Sequence, residues 1–172
     1  MDEADLPRRL RAWALAKHGE LPEPATAEQV AAAEARLGFA VHPLLKRLYL
    51  EVADGGYGPD TFTLVPAAQL RRGWPWLTVT VMDAGCAMEC NVDCSDATGR
   101  VLLMDPNAAG PDEESLFLEA PTLAQWLESW IDGTSWYCDQ DGVDFEDIPW
   151  PVLWDGAAAR LAEGPHMPDG PR

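Results

Sequence analysis

The hydrophobic period of this chain switches from helical to alternating within its first hundred residues, and that switch decides what it can fold into. Up to residue 52 apolar side chains return every three or four positions; from residue 77 to 104 they return every two. Leu6, Leu10, Trp13 and Ala14 mark an amphipathic helix over 5–17, which Gly19 ends. The Leu21-Pro22-Glu23-Pro24 stretch is an extended linker. Thr26 and Gln29 fit a capping box that opens a second helix, with Val30, Ala33 and Leu37 on one face and Gly38 as its left-handed stop. Glu34 falls on the same apolar face, where a partly buried carboxylate is expected to pair with a nearby donor. A third helix is expected from Pro43 to about Val52, with Leu44, Leu48 and Val52 as its stripe.

The glycine-rich run Asp54-Gly55-Gly56-Tyr57-Gly58-Pro59 stops that helix, and its three glycines are expected to take angles that a Cβ resists. It is not a phosphate loop, because GxxxxGK[ST] is absent. A tight turn leading into a strand over 61–65 is the expectation. Residues 77–81 and 87–94 then alternate cleanly, 95–99 is a turn cluster, and 101–104 is the return strand of a hairpin. A further short strand is expected at 115–119. Thr122 and Gln125 again fit a capping box, opening a helix whose apolar face is Leu123, Trp126, Leu127 and Trp130, with Gly133 at its end. Helices therefore come first, and a β-hairpin with further short strands follows. The 172 residues fit a single domain with a real core.

Charge narrows the function. The chain carries 12 basic and 29 acidic residues, a net of −17. Residues 1–100 hold 10 basic against 14 acidic residues, and residues 101–172 hold 2 against 15. No Lys or Arg lies between Arg100 and Arg160. Such a surface does not suit direct contact with nucleic acid or a polybasic contact with a membrane, and no apolar run is long enough to span one. The acidic N-terminus lacks a signal-like apolar core, so the expected location is cytoplasmic. Either a basic protein partner or plain solubility accounts for the charge. Beyond Gly133 acidic residues alternate with Trp136, Tyr137, Phe145, Trp150 and Trp154, so this segment is expected to fold against the body, with a frayed end from Gly164.

Cys86, Cys90 and Cys94 lie four residues apart. Along a strand they share one face with Met88 and Val92, a core stripe with Glu89, Asn91 and Asp93 outward. That reading is preferred to zinc, because ligands spread along one strand do not converge on one ion; zinc and a disulfide stay open as alternatives. The Asp139–Asp144 segment faintly resembles a calcium loop but lacks its Gly at position six and its Glu at position twelve. His18, His42 and His166 have no Ser or Cys close in sequence, and no G-x-S-x-G elbow occurs.

The order of these motifs resembles the SUKH superfamily, the Smi/Knr-like domain. The resemblance rests on Leu21-Pro22-x-Pro24-Ala25-Thr26, Glu34-x-x-Leu37-Gly38, Pro43, Leu48-Tyr49 and the run from Asp54 to Pro59. It continues with Asp83-x-Gly85-Cys86, Asp96-x-Thr98-Gly99-x-Val101 and Leu123-x-x-Trp126-Leu127-x-x-Trp130. Asp54 stands where the family usually has Asn, and His42 where it has Leu. The resemblance implies an α+β fold, an antiparallel β-sheet with helices packed around it, and a SUKH-like core over 20–133. The N-terminal helix over 1–19 and the acidic, aromatic extension over 134–172 are read from the residues, and the extension after Gly133 has no counterpart in the family pattern. The resemblance also implies a binding role without catalytic residues. No cofactor is expected, the cysteine stripe argues for a metal-free fold, and the expected state is a monomer or weak dimer. The expected role is that of an immunity protein that neutralises a toxin, a nuclease, by direct binding. The alternatives are a regulatory scaffold without a toxin partner, and an enzyme or small-ligand binder that uses the Gly-rich turn. The residues expected to meet a basic partner are Tyr57, Trp136, Tyr137, Asp139, Asp141, Asp144, Glu146 and Asp147.

Overall fold

A computed structural model describes residues 3–136 and 150–163 of the chain. It shows an α+β fold in which four helices cover one face of an antiparallel sheet. α1 (Leu6–His18) starts with Pro7 in its first turn, ends with Lys17 and His18 against its carboxyl end, and buries Leu6, Leu10 and Ala14. α2 (Ala27–Leu37) has the full capping box: the Thr26 hydroxyl accepts from the Gln29 N–H at 3.2 Å, and the Gln29 side chain accepts from the Thr26 N–H at 2.7 Å. Gly38 closes it at φ +80°. The Glu34 carboxylate takes Lys46 at 2.9 Å and the Val41 N–H at 3.2 Å, so the half-buried acid ties α2 to α3 (Pro43–Arg47).

The expected third helix does not stay α-helical. After Arg47 it widens into a π-turn, Leu48–Val52, closed by the Ala53 N–H on the Leu48 carbonyl. The wider turn places Leu48, Tyr49 and Val52 inside together. Asp54 then accepts from the Ala67 N–H at 2.7 Å and fixes the Gly-rich turn to the short 3-10 turn Ala67–Gln69.

Six strands follow in sequence order: β1 (Arg71–Arg72), β2 (Thr78–Asp83), β3 (Glu89–Asp93), β4 (Val101–Met104), β5 (Leu116–Ala120) and β6 (Val152–Leu153), each antiparallel to the next. The expected strand over 61–65 is absent. The Leu64 N–H donates to the Tyr57 carbonyl and its own carbonyl accepts from Gly56, so this segment closes the Gly-rich turn and touches the sheet only through a bridge to Met82. α4 (Leu123–Ile131) opens with the Thr122 hydroxyl accepting from the Gln125 N–H at 3.1 Å. α1 to α4 and the inward side chains Val79, Val81, Cys90, Val92, Val101 and Leu103 share one core. The short α5 (Ala157–Glu163) lies on the other face of the sheet. Among the described residues no helix is long and apolar enough to cross a membrane.

Candidate functional site

The outer face of the sheet departs most from expectation. Asn91 and Asp93, expected outward, are fully buried. The Thr80 hydroxyl donates to the Asn91 side chain at 2.7 Å, and the Glu89 carboxylate pairs with Arg71 at 2.6 Å. Asp93 meets Arg160 of α5 at 3.4 Å and Arg100 at 3.3 Å. Each guanidinium also lies against an indole, Arg160 on Trp76 at 5.3 Å and Arg100 on Trp154 at 4.9 Å. Arg160 donates as well to the Trp76 carbonyl. A buried carboxylate shared by two arginines thus clamps the C-terminal helix to the sheet. Asp96 borders this node; partial burial works against its ionised form, but the Thr98 hydroxyl and N–H and the Arg100 charge hold its carboxyl below the usual range. Strand alternation alone missed the node. Its signal in the sequence was a lone arginine at 160 within an acid-rich stretch that also carries Trp154.

Tyr57 is not available to a partner. It is fully buried, because the Gly-rich turn folds its ring inward, and burial pushes its phenol well above the ordinary value. Trp136 is half-buried: its indole N–H donates to the Glu119 carboxylate at 3.0 and 2.9 Å, and its ring stacks on Trp150 at 4.6 Å. Tyr137, Asp139, Asp141, Asp144, Glu146 and Asp147 lie outside the described residues, as do the Asp139–Asp144 segment and the end from Gly164.

The cysteine stripe holds for part of its length. Cys90 is in the core with Val92, and Cys94 is half-buried. Cys86 is exposed, because the strand begins only at Glu89. Before it, Gly85, Cys86 and Ala87 form a left-handed turn with φ of +78°, +50° and +64°. Burial raises the Cys94 thiol to about 11. Among the described residues no three His, Cys, Asp or Glu side chains are grouped to hold a metal ion. The buried His42 ring bonds the Ala97 carbonyl at 3.0 Å through Nε2 and accepts from the Leu44 N–H through Nδ1, so it pins the 95–99 turn to α3.

Among the described residues of the C-terminal half, the charged side chains exposed to solvent are acidic. Asp112, Glu113, Glu114, Asp132, Asp155 and Glu163 are exposed. Arg160, the one cation in 101–136 and 150–163, is buried on Asp93 and offers no positive charge to solvent. Asp112, Glu113 and Glu114 form a 3-10 turn directly before β5, and the Trp154 N–H donates to Leu116, the first residue of that strand. The acidic turn and the end of β6 are therefore neighbours. No protein-family model and no curated protein matches the chain.

Proposed function

We propose that this protein is a non-catalytic binding protein of the SUKH, Smi/Knr-like type, and that it neutralises a basic toxin domain, a nuclease, by direct contact. The observation that carries the reading is the burial of Arg160: the described C-terminal half presents carboxylates to solvent and withholds its one cation. A domain that grips nucleic acid exposes Lys and Arg for phosphate, and an acidic surface of this kind steers it into an encounter. The α+β architecture with an antiparallel sheet agrees with what the motif resemblance implies for the fold. Co-expression with a nuclease toxin domain from a gene adjacent to its own, where such a gene is present, is the test. Rescue of growth, with a complex that weakens as salt rises, is the expected result. No rescue and no complex at low salt overturns the reading.

A further inference from the structure

The described residues expose four large hydrophobic side chains, and three of them lie within four positions: Trp150, Val152 (68% exposed) and Leu153 (53%). Val152 and Leu153 form β6, the last strand of the sheet among the described residues, and Trp150 precedes it; the register sets Leu153 on the face of Phe117 and Leu103, and Val152 on the opposite face with Leu118 and Leu102. The Trp154 N–H points inward to the Leu116 carbonyl, so the alternation of an antiparallel pair turns the peptide groups of Leu153 to the open side. Beside them is a groove of about 340 Å³ lined by Met88, Leu103, Phe117, Trp150 and Pro151, with Asp105 on its wall. A small domain gains nothing in stability from such a patch, and apolar surface rimmed by charge is the anatomy of a binding site.

We propose that this groove and the β6 edge dock a protein segment that carries an apolar side chain flanked by Lys or Arg. The proposal rests on the toxin-binding reading and names the surface that would serve it. Charge selects the occupant. Asp105 lines the groove, exposed Asp155 follows β6, and exposed Asp112, Glu113 and Glu114 precede its partner strand β5. Arg160, the nearest cation after β6 in sequence, is engaged with Asp93. The apolar residue fills the groove as the anchor, Asp105 on the groove wall meets a flanking cation, and the exposed carboxylates around it draw the basic segment in. Pro151 and the two-residue length of β6 blunt the edge against a long added strand, so a short segment with one anchor is the form that fits.

The probe is the end-blocked heptapeptide Lys-Lys-Leu-Trp-Leu-Lys-Lys, titrated into the full chain at low salt and followed by amide NMR shifts. The control is the same peptide with its three central residues replaced by serine. The expected result is shifts concentrated at Leu103, Phe117 and residues 152–153, with the control about tenfold weaker. The exposed double variant V152S/L153S should lose about tenfold in affinity at unchanged Tm, and Asp105→Asn should flatten the salt dependence. Shifts elsewhere, equal binding of the control, no binding, or full affinity of the double variant overturns the proposal. The two readings separate cleanly. If the peptide seats in the groove but no toxin domain is neutralised, the toxin reading falls and the surface stands. If V152S/L153S neutralises a toxin as well as the native chain does, the surface falls and the toxin reading stands.

Discussion

A Cβ at Gly56 would stand 3.0 Å from Pro22 Cγ on a backbone at φ +74°, and a single side chain there sets two parts of the fold against each other. Pro22 belongs to the linker before α2, so the Gly-rich turn and the linker are packed by the absence of an atom. Gly56→Val should therefore lower stability by about 2–3 kcal/mol, read as a fall in the denaturant midpoint. Unchanged melting would show that the turn tolerates a branched side chain. The three glycines of this turn were legible as such, but their reasons differ. Gly55 and Gly56 need positive φ, whereas Gly58 does not, and a Cβ there would collide with the Phe62 carbonyl oxygen. The left-handed Cys86 and Ala87 were not legible, because neither residue type favours that region. Cysteine chemistry should divide by burial. Burial disfavours the Cys94 thiolate, so its folded-state pKa, about 11, lies above the reference value of 9.0. Below about pH 9 the thiol is protonated in both folded and unfolded chains and the stabilising contribution is complete. As pH rises from about 9 to about 11 the unfolded chain loses the proton first, and that contribution is lost. Tyr49 and Tyr57 add to the alkaline loss through their own raised values, so the Cys94 part is read by comparing melting curves of the native chain and Cys94→Val over that range. A difference independent of pH would exclude the assigned cause.

Helix ends were the most legible elements, because Thr26, Gln29, Gly38 and Thr122 each satisfy particular backbone donors or permit a particular φ. The strands were legible as a hairpin, but not the burial of their second face. Alternation at β3 separates Cys90 and Val92 from Asn91 and Asp93 correctly, yet it says nothing about what covers the polar side. Over Asp93 that cover comes from α5, some 67 positions along the chain, and over Asn91 from the Gly73–Trp74 segment, and no local pattern couples either to β3. β6 was missed for a related reason: a two-residue strand is too short to show a period. The clamp makes a sharp prediction. Asp93 is fully buried, and removing Arg160 leaves its charge with Arg100 alone. Arg160→Ala should cost about 3–5 kcal/mol, and amide exchange at residues 157–163 should accelerate more than in α1 to α4. Asp93→Asn combined with Arg160→Ala should recover part of the loss, because the buried charge has gone with its partner. A uniform rise in exchange over the whole sheet would mean that the node supports the entire domain and not α5 in particular.

At the scale of the whole molecule, the fold class came from the motif resemblance, with which the change of period agreed, and the acidic half from counting, but neither placed the charge in space. The structure does so for the described residues: it collects Asp112, Glu113 and Glu114 in one turn ahead of β5 and turns the cation inward. Exposed carboxylates of this kind attract a basic partner over about a Debye length, 8–10 Å at physiological salt, and so act on encounter more than on the lifetime of the complex. The triple variant Asp112→Asn, Glu113→Gln, Glu114→Gln is the measure of that effect. All three side chains are exposed, and the substitutions remove mutual repulsion, so the melting temperature should hold or rise slightly. Stopped-flow association with the proposed toxin partner should slow by about three- to tenfold at low salt and lose much of its dependence on ionic strength, while dissociation stays within about twofold of the native rate. A native association rate with an altered dissociation rate would place these carboxylates inside the contact itself. An unaltered pair of rates would assign steering to the other acidic residues of the chain.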